Sequence, residues 1–154
     1  MPRIFDKSKL KTDCANCDSV CCVVPSLPYA HYPKPPRVPC KHLDQSECRC
    51  TVFSELEKRG YSACRKFDCY GTGVVVAKLF RDLGRSWNTH PDTAIIQFHT
   101  FTIVYLTMLK YLHPDRAVEF DISEELIEKL KPLTEAALDM LVETADPFAA
   151  IKKP

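Results

Sequence analysis

Beyond Cys69 the apolar positions of the chain recur with a helical period, whereas before it they are scattered among cysteines and prolines. A first helix is predicted from Thr72 to Leu83, with Gly84 in the position that closes it. A second runs from Thr89, where Asp92 three residues on makes a capping-box-like pair, to Leu112 just before His113-Pro114. Ser123 caps a third, Glu124 to Lys131; Pro132 then interrupts or kinks the pattern. A fourth segment, Thr134 to Ala145, presents Ala137, Leu138, Leu141 and Val142 on one side. Val74-Val75-Val76 alone suits a strand or a helix, and no run alternates convincingly as a strand. Upstream, Thr51 to Arg59 has room for about two helical turns, with Phe53 and Leu56 inward and Gly60 ending them. Between Cys22 and Cys40, Pro25, Pro28, Pro33, Pro35, Pro36 and Pro39 remove backbone donors and hold the chain extended or turned.

This pattern predicts a mainly α protein in which an irregular, metal-stabilised cysteine-rich N-terminal half packs on a small C-terminal helical bundle. One domain over residues 1–154 is expected, with residues 12–70 as the cysteine-rich part and 71–146 as the helical part. Composition changes the picture little: 45% apolar and 27% charged residues are ordinary for a globular chain. The formal charge of +1 gives no overall field for nucleic acid or an acidic membrane. Met1 to Lys11 is basic but has no apolar signal core, so a cytoplasmic protein is expected. Ala94 to Leu112 is apolar enough to raise the membrane question, but Gln97, His99, Lys110 and several threonines argue against a span.

All nine cysteines fall within the first 69 residues. In a reducing compartment an odd, dense set of this kind points to metal rather than to disulfides. Cys14-Ala15-Asn16-Cys17 has the two-residue spacing that lets both sulfurs converge on one tetrahedral ion. Cys21-Cys22, Cys40, Cys48, Cys50, Cys64 and Cys69 follow, enough sulfur for two complete four-thiolate sites. Neighbouring side chains diverge, so Cys21 and Cys22 do not easily take two corners of one tetrahedron; two centres or a bridged pair would use both. Cys64 and Cys69 make a further ligand pair, and Cys69 lies just before a helix start, where thiolate is favoured over thiol.

The spacing Cys14-x2-Cys17-x3-Cys21-Cys22, then Cys40-Lys41-His42-Leu43, Cys50-x-Val52 leading to Arg59-Gly60, and Cys64-Arg65-Lys66-Phe67-Asp68-Cys69 resembles a zinc- or iron-chelating cysteine-cluster family. That family includes flagellin lysine N-methylases. The chain looks most like the version found ahead of pentapeptide repeats in some bacterial proteins, which continues as here with Gly71-Thr72-Gly73 and a Trp87 followed by a long helix. The resemblance covers about residues 12 to 113. It implies Cys14, Cys17, Cys21, Cys22, Cys40, Cys50, Cys64 and Cys69 as metal ligands and leaves Cys48 as an extra cysteine. No pentapeptide repeats occur here, so a role that depends on them is not carried over.

The remaining candidates are weaker. His42 is a ligand, a hydrogen-bond donor to a sulfur, or a plain surface histidine; His99 reads as a buried, hydrogen-bonded one. Gly71-Thr72-Gly73 lacks the third glycine and preceding strand of a nucleotide loop, and Trp87, Tyr105 and Tyr111 read as core aromatics. Lys41, Arg49, Arg65 and Lys66 are the expected counter-charges for the thiolates. Three functions follow in order: a structural protein holding two zinc ions and meeting a protein partner, with neither nucleic acid nor membrane; an iron–sulfur redox or sensing protein; and a methylase-like enzyme acting on protein side chains. The third comes last because the sites look closed, without an open coordination position.

Overall fold

Apolar periodicity does produce the helices, and the computed structural model of the chain describes residues 3–28, 33–116, 118 and 122–142. A short helix α1 (Ser62–Lys66) precedes three long ones: α2 (Thr72–Asp82), α3 (Ala94–Leu112) and α4 (Glu124–Leu141). The long three pack on one another pairwise. They bury Val76, Ala77 and Phe80 of α2, Phe101, Val104 and Met108 of α3, and Ala137, Leu138 and Leu141 of α4. No helix among the described residues is long and apolar enough to cross a membrane.

Each helix end has a local cause. Gly84 closes α2 at φ 71°, and the paired bonds Gly84 N–H to Arg81 O (2.9 Å) and Arg85 N–H to Phe80 O (2.8 Å) satisfy the last carbonyls. The expected start of α3 at Thr89 is displaced to Ala94. Pro91 holds the preceding His90 at φ −129°, ψ 74°, outside the helical region, and a short 3-10 turn over Pro91–Thr93 intervenes. The Thr89 hydroxyl therefore meets His90 Nδ1 at 2.8 Å instead of capping a helix. Ser123 does cap α4, its Oγ accepting from Leu126 N–H at 3.2 Å.

The two helices expected on either side of Pro132 are one. Proline removes one amide donor and costs about 3 kcal/mol in a helix interior. Leu130, Thr134, Ala137, Leu138 and Leu141 are nevertheless buried along α4, and that burial outweighs the loss. The helix stops at Leu141, where Val142 turns extended and bridges Phe5 while Asp6 N–H bonds Leu141 O at 2.9 Å. The predicted continuation over 143–145 lies outside the described residues.

The cysteine-rich half contains two hairpins that sequence periodicity missed: β1 (Leu27–Pro28) with β2 (Pro33–Lys34), and β3 (Leu43–Asp44) with β4 (Arg49–Cys50). Two-residue strands are too short for any alternation to register. The helix expected over Thr51–Arg59 reduces to a 3-10 turn, Phe53–Glu55. Leu56 points inward at 3% exposure, but Phe53 is 49% exposed, its ring under the Arg65 guanidinium at 4.7 Å. Val52, Leu56 and Tyr61 fill the inner side, with Cys50 and Cys64 against them.

Val20, Val23, Leu43 and Cys69 belong to the same core cluster as the helical residues, so the irregular half is seated on the bundle. A buried polar network fastens it there. Gln97 of α3 accepts from Trp87 N–H (2.8 Å) and donates to Asp18 Oδ2 (3.2 Å), while Trp87 Nε1 donates to Asp18 O at 2.8 Å. Gln97→Leu leaves two buried groups unmatched and is expected to destabilise the chain by about 1–3 kcal/mol. Urea unfolding followed through the emission of the single tryptophan measures it; an unmoved midpoint would show the network to be idle.

Candidate metal centre

The first cysteines ride on two 3-10 turns, Cys14–Asn16 and Val20–Cys22. Val20 and Val23, both fully buried, anchor the second turn in the core. Between the turns Ser19 takes a left-handed conformation (φ 56°), its amide donating to Cys17 Sγ at 3.3 Å and its hydroxyl to Cys48 O at 2.5 Å. Cys40 is brought to Cys22 by a backbone bond, Cys40 N–H to Cys22 O, at 2.9 Å.

Cys69 arrives from the other side. Tyr70 and Gly71 (φ 55° and 83°) turn the chain sharply into α2. A side chain at Gly71 would collide with the Lys9 carbonyl oxygen. Gly73, in the first turn of α2, faces sulfur: a Cβ there would stand 2.8 Å from Cys17 Sγ and 3.7 Å from Cys69 Sγ. The glycine makes room for two sulfurs 52 positions apart in the chain to meet at a helix N-terminus.

The charges that act on each thiol show its neighbours. Cys14 is raised by burial and then by Cys21, Cys69 and Asp13. Burial pushes Cys17 up to about 12, with Cys21 and Cys69 adding to it and the Ser19 amide opposing. Cys21 stands well above the ordinary thiol, first through its hydrogen bond with Cys22, then through burial. Cys50 is raised by burial and further by Cys40, Cys64 and Cys21. The influences link Cys14, Cys17, Cys21 and Cys69, and they link Cys50 to Cys40, Cys64 and Cys21. They meet at the adjacent pair Cys21-Cys22.

Among the described residues no group of three or more His, Cys, Asp or Glu side chains is placed to hold a metal ion. An open cleft of about 410 Å³ lined by Cys17, Asp18, Cys48, Arg49, Arg81 and Asn88 leads from solvent to Cys17.

Cys48 stands apart. It is buried in the hydrophobic core, its thiol pushed up to about 11 by burial and Asp18, with Arg49 and Arg81 opposing. The His42 ring meets Tyr61 edge-on at 5.3 Å, and His99 is half-buried on α3.

Of the expected counter-charges, Arg49 is in place. Its guanidinium donates to Ala15 O (2.7 Å), Cys48 O (3.1 Å) and Cys17 O (3.4 Å), over the first turn. Arg65 instead serves Glu57 (3.1 Å) and Phe53 O (2.8 Å), and Lys41 and Lys66 are exposed. Sequence reasoning missed two cations. Arg81 of α2 donates to Asn16 O and lies 3.8 Å from Asp18. Lys34 is buried at 1% exposure; burial pulls its ammonium below the usual lysine range, opposed by Cys40, Cys22 and Cys64. A signal existed: the prolines around Lys34 leave carbonyls that no nearby amide can satisfy, and a lysine can.

The chain matches no described family profile and no solved structure. It is similar to the uncharacterized protein YybG of Bacillus subtilis (strain 168), with 31% identity over 147 residues, covering 86% of this chain and 50% of that protein. The chain thus spans about half the length of the curated relative it matches.

For the metal-free, reduced chain the raised thiols set a sign. Cys17 at about 12 and Cys48 at about 11, against an ordinary 9.0, stabilise the fold fully below pH 9. Above it the unfolded chain sheds these protons first, so stability falls as pH rises through the folded values. Denaturation midpoints should decline from pH 9 upward, and a flat or rising profile would contradict the burial of these thiols.

Proposed function

We propose that this chain is an intracellular metal-binding protein that holds two zinc ions, each through four cysteine thiolates. Cys14, Cys17, Cys21 and Cys69 hold one, and Cys22, Cys40, Cys50 and Cys64 hold the other. What supports the reading is the cysteine spacing together with the meeting of Cys17 and Cys69 across Gly73 and the backbone bond of 2.9 Å that ties Cys40 to Cys22. Four sulfurs about 2.3 Å from one ion is a closed site of the structural kind. The ions would tie the hairpins and turns together in a region with little regular structure, a contribution that only the folded state collects.

Eight thiolates carry more charge than two divalent ions return, so the loaded chain moves from its formal +1 to a net negative value. Such a surface repels nucleic acid and fits a protein partner, for which exposed Leu83, Ile95 and Ile96 offer apolar contact. An iron–sulfur centre is the second reading, favoured by one detail. Cys21 acts on both Cys17 and Cys50, so the eight sulfurs form a continuous patch in which a larger cluster also has ligands. The methylase-like reading gains no catalytic pair among the described residues.

Metal analysis and visible absorption of anaerobically purified chain test the proposal. Two zinc ions per chain and a colourless protein are expected, with two retained in Cys48→Ser and about one in Cys50→Ser. Iron, sulfide and a brown colour would replace zinc by a cluster. No metal, either as purified or after zinc addition to the reduced chain, would overturn the reading.

A further inference from the structure

The chain has four glycines, and Gly60, Gly71 and Gly84 stand at positive φ (83°, 83° and 71°), where a side chain would be strained. Gly73 is different. It lies inside α2 with a φ ordinary for a helix, so its backbone does not call for glycine. Alanine is the better helix former, and the missing side chain at 73 needs another cause. Its surroundings supply one. A Cβ there would stand 2.8 Å from Cys17 Sγ, closer than such atoms pack, 3.7 Å from Cys69 Sγ and 3.9 Å from Cys17 Cβ. Sulfur thus takes the place of a methyl group on the first turn of α2. Both sulfurs are fastened where they stand: the Ser19 amide donates to Cys17 Sγ at 3.3 Å, and Thr12 Oγ1 is in hydrogen-bond contact with Cys69 Sγ at 3.6 Å. Next to Cys17, the Asp18 carbonyl accepts from Trp87 Nε1 at 2.8 Å, so the loop cannot retreat as a body without breaking a buried bond.

We infer that Gly73 is the positioning residue of the first sulfur set: Cys17 and Cys69 meet over its bare α-carbon, so they hold their metal against the first turn of α2 and clamp the cysteine-rich half to the helical bundle. The inference rests on the two-set metal reading and gives the first set its place and its task. A methyl group at 73 can be accommodated in two ways. If Cys17 turns about its Cα–Cβ bond, its sulfur leaves both Cys69 and the Ser19 amide; if α2 shifts instead, its packing on α3 and α4 is disturbed. Turning one side chain is the smaller change, because the core stays packed. It removes a ligand from the first set and none from the second, of which Cys50 and Cys64 pack on Val52, Leu56 and Tyr61 in a cluster separate from the helical core. The two sets therefore do different work. The first joins the Cys14 to Cys21 turns to the start of a core helix, and the second ties the turns and hairpins of the irregular half to one another.

The test isolates each set in the full-length chain. Cys50→Ser/Cys64→Ser leaves the first set complete, and Cys14→Ser/Cys17→Ser leaves the second. In each background Gly73→Ala is compared with Gly84→Ala, which strains the end of the same helix where a Cβ meets nothing within 4 Å. Zinc affinity is read by chelator competition and folding from Trp87 emission. The approach of Cys17 to Cys69 is read without metal, by crosslinking the reduced chain with dibromobimane and mapping the joined peptides by mass spectrometry. Gly73→Ala should weaken zinc in the first set by about tenfold or more and leave the second within about twofold. It should also abolish the Cys17–Cys69 crosslink, whereas Gly84→Ala should leave both zinc affinities and the crosslink as they are. Unchanged zinc affinity in the first set, or a crosslink kept at the parent yield, would overturn the inference. So would equal weakening of both sets, which marks a general folding defect, or the absence of a Cys17–Cys69 crosslink in the parent chain, a result that needs no variant to fold. Failure of the parent chain to bind zinc at all is a separate result, seen before any Gly73 variant is made, and overturns the metal reading itself.

Discussion

Asp18 is where the irregular half of this protein is fastened to its helices. Its carboxylate accepts from Gln97, its carbonyl accepts from the Trp87 indole, and Gln97 in turn accepts from the Trp87 amide. Asp18 and Gln97 are 8% and 1% exposed, so these bonds form where water cannot substitute for them. Asp18 directly follows Cys17, so fixing it fixes the loop that carries Cys17, Cys21 and Cys22. The turn through Cys21 and Cys22 is set from below by Val20 and Val23 in the same core. The gathering of sulfurs is thus a consequence of packing on α2 and α3, and not a local property of the cysteine-rich stretch.

Charge accounting follows from that geometry. Burial raises the thiols of Cys14, Cys17 and Cys50, and the hydrogen bond with Cys22 together with burial raises that of Cys21. Cations are placed around them by two different devices. Arg49 and Arg81 reach over the first turn and hold the carbonyls of residues 15 to 17, so they brace the backbone as well as bringing charge. Lys34 works from inside a proline-rich loop, where the missing amides leave carbonyls as its partners. A stretch that reads as a stiff connector turns out to be a cradle for an ammonium ion.

Glycine settles how closely the two halves approach. At Gly73 the missing side chain leaves the space that Cys17 and Cys69 share, and at Gly71 it lets the backbone of residues 9 to 11 cross the start of α2. The N-terminal strap continues to Phe5, which bridges Val142 at the far end of α4. Residues from both termini of the described chain therefore close around α2, which carries the sulfur-facing glycine.

Cysteine density and spacing pointed to the N-terminal half, the family resemblance implied which eight sulfurs to expect as ligands, and apolar periodicity placed α2 and most of α3, because these signals are written in neighbours along the chain. Helix ends with local chemistry, such as Gly84 and Ser123, were legible for the same reason. What only the tertiary structure decided are matters of distant contact. Cys69 meets Cys17 because α2 packs where it does, and Phe53 faces outward because Val52, Leu56 and Tyr61 already fill the inside. Pro132 is carried through α4 because apolar burial on two other helices exceeds the loss of one backbone bond. Lys34, unremarkable in its sequence context, is enclosed by carbonyls from three positions. Local pattern specifies what each segment prefers, whereas burial and charge act through space, and only the folded chain brings their sources together.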